Sequence, residues 1–169
     1  MRPTKKITVS AMATALGSAL MAVGSLLQFA DMAFAAFASF LVVIIIIEVG
    51  FPYPWLVWLT TTLITFIIPY TTSIWPVYFI FGVFPILKYY IEKLKRPFWF
   101  PFKLVYVNVC ILLLVFVIEF VAFGTDVPIV KAALYVVLNI AFFMYDRLLT
   151  LLIRLYNEKY RQRFRHLFK

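Results

Sequence analysis

The sequence predicts an all-α membrane protein, a bundle of six transmembrane helices with both termini in the cytoplasm and no separate soluble domain. Three observations carry this reading. Hydrophobic residues make up 65% of the 169 and charged residues 14%, with a mean hydropathy of +1.00, whereas apolar content in soluble domains is nearer half. The apolar residues fall into six stretches, each near the ~20 residues a helix needs to cross the hydrocarbon. Lys and Arg gather at alternate ends of those stretches, as the positive-inside bias requires.

In chain order the predicted helices cover about 7–29, 33–51, 54–70, 74–92, 100–123 and 128–150, with a basic helical extension to about 164. Breakers set the cuts. Phe51, Pro52, Tyr53 and Pro54 separate the second stretch from the third, and Pro69 to Ser73 separate the third from the fourth. Lys93 to Pro97 precede the fifth, and Gly124 to Pro128 precede the sixth. Threading six spans puts Arg2, Lys5 and Lys6, then Lys88, Lys93, Lys95, Arg96 and Lys103, then Arg147, Arg154, Lys159, Arg161, Arg163, Arg165 and Lys169 on one side. Only Lys131 falls opposite. This distribution places the chain in the cytoplasmic membrane as a multi-pass protein. It also turns the net charge of +9 into a topology signal rather than a nucleic-acid footprint.

The first helix carries the most Ala, Gly and Ser. Small residues let helix backbones approach closely, and in lipid that packing replaces the hydrophobic effect as the reason helices associate. At roughly 100° per residue, Ala11, Ala15, Ser18, Ala22 and Ser25 share one stripe, and Ala13, Gly17 and Gly24 another. Two small faces imply two neighbours, one within the bundle and one partner outside it. The basic start, the apolar run and the A-x-A patterns at Ala33–Ala35 and Ala36–Ala38 imitate a signal peptide. The run is about twice the usual h-region length, and further apolar segments follow it, so it is read as a retained span.

Two tiers of polar residues fall within the predicted spans. The inner tier holds Glu48, Lys88, Glu92, Asp146 and Arg147. At ~1.5 Å per residue, Asp146 lies ~27 Å down its helix from Pro128, near the inner interface. The charges nearly cancel, which fits an ion-pair lock among the second, fourth and sixth helices, or a coupling role towards a partner. The outer tier gathers hydroxyls, amides and aromatics, of which Gln28, Asp31, Thr65, Trp75, Tyr78, Glu119, Tyr135 and Asn139 are the candidate ligand-binding residues. Glu119 sits in the apolar segment VFVIEFVAF, answered either by Lys131 or by a bound cation or ligand. Gly82 and Pro85 mark a weak point in the fourth helix, with a kink as the expected consequence. Cys110 has no second thiol and reads as a small buried hydrophobe. The basic tail, with His166, either lies on anionic lipid or is simply solvated.

No nucleotide-binding loop, metal-ligand spacing or nucleophile–base pairing is present in the sequence. The expectation is a non-enzyme without cofactor or metal. Glu48, Lys88 and Asp146 are able to act as acid and base, but no substrate site accompanies them.

The segment KKITVSAMATALGSAL resembles the opening of the substrate-binding S components of energy-coupling factor transporters. These are small six-helix membrane proteins whose first helix carries an A-x-x-x-A motif against a transmembrane coupling subunit. Ala11 and Ala15 match the motif and Ala19 extends it, with Ala13 and Gly17 beside them. The resemblance implies capture of a vitamin-like micronutrient on the outer half, coupled through helix 1 to partner transmembrane and ATPase subunits. The segments FGVFPILKYYIEKL and FFMYDRLLTLLIRLY are similar to small membrane proteins of Gram-positive anaerobes. The competing expectation is a non-transporting membrane scaffold resembling the rod-shape-determining membrane proteins, in which the small face docks a partner and the outer polar groups are only interface. In both readings the partners are membrane lipid and another membrane protein, not nucleic acid.

Overall fold

A computed structural model describes residues 3–27, 31–67, 75–93, 98–122 and 128–160, with the backbone alone described for 31, 114–122, 128–134 and 160. The described residues are helical, with no strand among them. In order the elements are α1 (Pro3–Leu27), α2 (Asp31–Glu48), α3 (Tyr53–Ile67), α4 (Trp75–Ile91), α5 (Trp99–Ala122) and α6 (Pro128–Leu155), the last followed by a π-helical turn, Tyr156–Tyr160. The all-α class expected from the hydropathy pattern is therefore observed. Gln28, Tyr70 to Ser73, Asp126 and His166 lie outside the described residues.

Proline placement explains most of the boundaries. Pro3 and Pro128 open α1 and α6, Pro54 and Pro76 take the second positions of α3 and α4, and Pro101 the third of α5. A first-turn residue has no intrahelical acceptor for its N–H, so a proline there loses nothing. Thus α1 begins at Pro3, four residues before the expected start, and takes Lys5 and Lys6 into its first turns. Pro85 is the exception inside a helix, yet α4 remains helical from Trp75 to Ile91. At the end of α2 the amides of Val49 and Gly50 both donate to the Ile45 carbonyl at 3.0 Å. Gly50 then turns the chain with φ at 79°, a left-handed conformation that a side chain would strain.

Contacts divide the chain into two compact units, Met1–Tyr89 with Leu152–Lys169, and Tyr90–Leu151. In the first, α1 packs against α2 and α3. One cluster joins Ala13, Val42, Ile45, Val49, Val57 and Ile86; a second joins Met21, Ala35, Ala38 and Tyr78. The buried face of α1 is Ser10, Ala13, Gly17, Met21, Gly24 and Ser25. A Cβ on Gly17 would meet Thr61 at 3.4 Å, so the α1–α3 approach already stands at ordinary van der Waals contact. Ser25 belongs to this buried face and not to the Ala11 stripe on which its helical phase placed it, because it follows Met21 by one turn on the packed seam.

Gly82 marks a close approach between helices. A Cβ there would lie 2.7 Å from Trp58 Cδ1, and Trp58 Nε1 donates to the Phe79 carbonyl at 3.1 Å. The missing side chain is the notch that seats an α3 indole against α4.

The second unit is held by aromatic and charged side chains of α5 and α6. Phe142 packs against Tyr106 and Tyr145, and Phe100 stacks on Phe143. Val107, Cys110, Ile111 and Leu149 are buried, as expected for Cys110. Among the described residues two segments are long and apolar enough to cross a membrane, Pro3–Leu27 and Tyr135–Lys159; Met32–Glu48, Tyr53–Ile67, Trp75–Ile91 and Trp99–Leu113 are shorter apolar helices.

Candidate functional site

Four groups of residues have chemistry to offer, and α1 supplies the first. Its inward face is filled, but Ala11, Ala15 and Ala19 are exposed. They alternate with the exposed apolar side chains of Met12, Leu16 and Val23, giving a low surface without charge. The helix thus presents Ala13 and Gly17 to its own unit and Ala11, Ala15 and Ala19 to the outside. Polar side chains near this helix are largely occupied locally: Thr14 Oγ1 donates to the Ser10 carbonyl and meets Thr60 Oγ1 at 3.2 Å, and Ser18 donates to the Thr14 carbonyl at 2.8 Å. Ser10 Oγ is buried without a hydrogen-bond partner among the described residues, whereas the Thr61 hydroxyl stands beside that of Tyr78.

Acidic and basic groups form two separate constellations, one in each unit. In the first unit the Tyr156 hydroxyl donates to Glu48 Oε1 at 3.3 Å, and Tyr156 is itself buried. Lys88 is 2% exposed, with its ammonium 6.0 Å from the centre of the Phe84 ring. In the second unit Lys103 Nζ donates to both oxygens of Asp146, at 3.0 and 2.9 Å, and lies 3.8 Å from Glu92 Oε1. The Lys103 and Asp146 side chains are only 12% and 13% exposed. The two-oxygen geometry gives the strongest form of such a pair, set against the desolvation of both charges. Of the inner-tier candidates, the structure therefore joins Glu92 and Asp146 through a lysine of α5.

The outer-tier candidates have contrasting surroundings. Thr65 is buried, its hydroxyl donating to its own helix at the Thr61 and Thr62 carbonyls, 3.0 and 2.9 Å away. Tyr78 is wholly buried in the core of the first unit. Trp75 is half-buried with its ring edge-on to Phe66 at 5.3 Å. In the second unit Tyr135 is exposed and Asn139 donates its amide to the Tyr135 carbonyl at 3.0 Å. Asp31, Glu119 and Lys131 are placed by backbone only, in α2, α5 and α6.

The fourth group is a face of α6 that the sequence reading did not single out. Ile140, Phe143, Met144, Arg147, Leu148 and Leu151 line an open apolar groove of about 520 Å³. Arg147 is exposed there and makes no ion pair among the described residues. The spacing of these residues, three and four apart, is available in the sequence, but the charge of Arg147 draws it into the inner tier instead.

Lys103, Tyr156 and Trp58 are the residues whose roles sequence reasoning missed. In the sequence Lys103 is one of the basic residues that set topology, and only its register opposite Asp146 reveals a partner. No protein-family model, curated protein or solved structure matches the chain.

Proposed function

We propose that the chain is a multi-pass protein of the cytoplasmic membrane, with six spans and both termini inside, that works through a partner membrane protein docked on the outer stripe of α1. The observation that carries this is the division of α1 into a filled face of Ala13, Gly17, Met21 and Gly24 and an exposed one of Ala11, Ala15 and Ala19. Close-packing small residues stabilise helix association in lipid only when a second backbone meets them. In the form implied by the resemblance to transporter S components, the partner is a coupling subunit, and the chain captures a small micronutrient-like molecule.

A second reading, a non-transporting membrane scaffold, is favoured by Thr65 and Tyr78. Two of the residues that would line a solute site are sealed inside the first unit. Mass spectrometry of the natively purified protein separates the two. A soluble ATPase pair with a coupling protein, or a small molecule surviving extraction, supports capture. Other membrane proteins without either support the scaffold. Purification with no partner at all contradicts both.

A further inference from the structure

The α6 groove combines two properties that rarely coexist on a membrane-facing surface. Its walls are apolar, with Ile140, Met144, Leu148 and Leu151 all more than half exposed. In its middle stands a guanidinium that has no carboxylate answering it among the described residues. The adjacent Asp146 does not serve, because both its oxygens are taken by Lys103. An exposed cation on a spanning helix is costly unless an anion meets it.

Resting on the membrane reading above, we infer that this face binds an anionic phospholipid, with one acyl chain along Ile140, Phe143 and Met144 and the phosphate on Arg147. Arg147 lies ~28 Å along α6 from Pro128 at 1.5 Å per residue, close to the ~30 Å thickness of the hydrocarbon. A span that starts at Pro128 therefore brings the guanidinium to the level of the inner-leaflet phosphates. Its planar fork suits two phosphate oxygens at once. A second copy of the chain is the poorer occupant, since a two-fold contact through this face would set Arg147 near its own equivalent. Free phosphate would use Arg147 but leave the apolar walls uncovered.

The test uses the full chain, first washed as membranes with alkaline carbonate and then purified in detergent. Retention of dioleoyl phosphatidylglycerol, dioleoyl phosphatidylcholine and inorganic phosphate is then compared by native mass spectrometry. The glycerol lipid is expected to be held about fivefold better than the choline lipid, the effect of about one basic group at an anionic surface. Arg147→Gln is expected to abolish that preference, and Lys5→Gln, at an exposed lysine of α1, to leave it unchanged. A phosphatidylglycerol with a photoreactive acyl chain, applied to the native protein, is expected to label the peptide containing 140–151, which keeps the test independent of how the variant folds. Equal retention of the two lipids, a preference that survives Arg147→Gln, full competition by inorganic phosphate, or labelling elsewhere would each overturn the inference. Release of the chain by the carbonate wash would overturn the membrane reading with it, whereas retention without lipid preference removes this inference alone.

Discussion

α1 and α6 solve the problem of helix contact in opposite ways. α1 buries Ala13, Gly17 and Gly24 and brings backbones together, and its neighbouring hydroxyls turn back onto helix carbonyls. α6 buries Phe142, Tyr145 and Leu149 and adds a near-buried ion pair from Asp146 to α5. The first device depends on what is missing from each side chain, and the second on what is present. They should consequently fail differently, α1 when atoms are added and α6 when a charge is removed.

The largest effect is expected in the second unit. Asp146→Asn leaves Lys103 nearly buried without its carboxylate and should destabilise the protein by ~3–5 kcal/mol, the usual cost of breaking a buried pair from one side. Replacing both partners, Lys103→Met with Asp146→Leu, should recover most of that loss in a thermal-unfolding measurement in detergent. Failure of the double variant to recover would mean that Glu92 shares the cation more strongly than its 3.8 Å distance indicates.

An intermediate effect is expected where an atom is added to the first unit. Gly82→Ala places a methyl 2.7 Å from Trp58 Cδ1, and overpacking of this kind costs about 1–3 kcal/mol. The indole fluorescence should change with it, since Trp58 must leave the Phe79 carbonyl. An unaltered melting temperature and spectrum would show that the notch is not tight.

The smallest effect, and one of opposite sign, is expected at Ser10. Its hydroxyl is buried without a partner among the described residues, so Ser10→Ala should be neutral or stabilising, by up to ~1 kcal/mol. A loss of stability would mean that the hydroxyl binds something inside the first unit.

The same contrast explains what was legible in the sequence. The two faces of α1 could be read because small residues are diagnostic and the two residues from Ala11 to Ala13 turn the helix by about 200°. The starts of helices were legible to within a few residues because prolines mark first turns, as at Pro128. The ion pair could not be read: Asp146 had Lys88, Lys103 and Arg147 as candidate partners at similar depth, and the choice depends on rotation about each helix axis. The seat that Gly82 offers Trp58 could not be read for a related reason. A glycine near a proline reads as a hinge along the chain, whereas the admission of Trp58 lies across it. Polar residues in a span invite a reading as lining, as at Thr65 and Tyr78; the structure buries both, and the Thr65 hydroxyl bonds to its own preceding turn.

The central claim is that α1 has one face for its own unit and another for a partner. Its most direct measurement compares Ala11→Leu with Ala15→Leu, made together, against Gly17→Leu, scoring thermal stability and co-purifying membrane proteins in the same preparations. The account predicts that the double alanine variant keeps its stability within about 0.5 kcal/mol, as exposed substitutions do, and loses its partner. Gly17→Leu, driven against Thr61, should lose stability first. Unchanged co-purification in the double variant, or equal destabilisation by both, would contradict it.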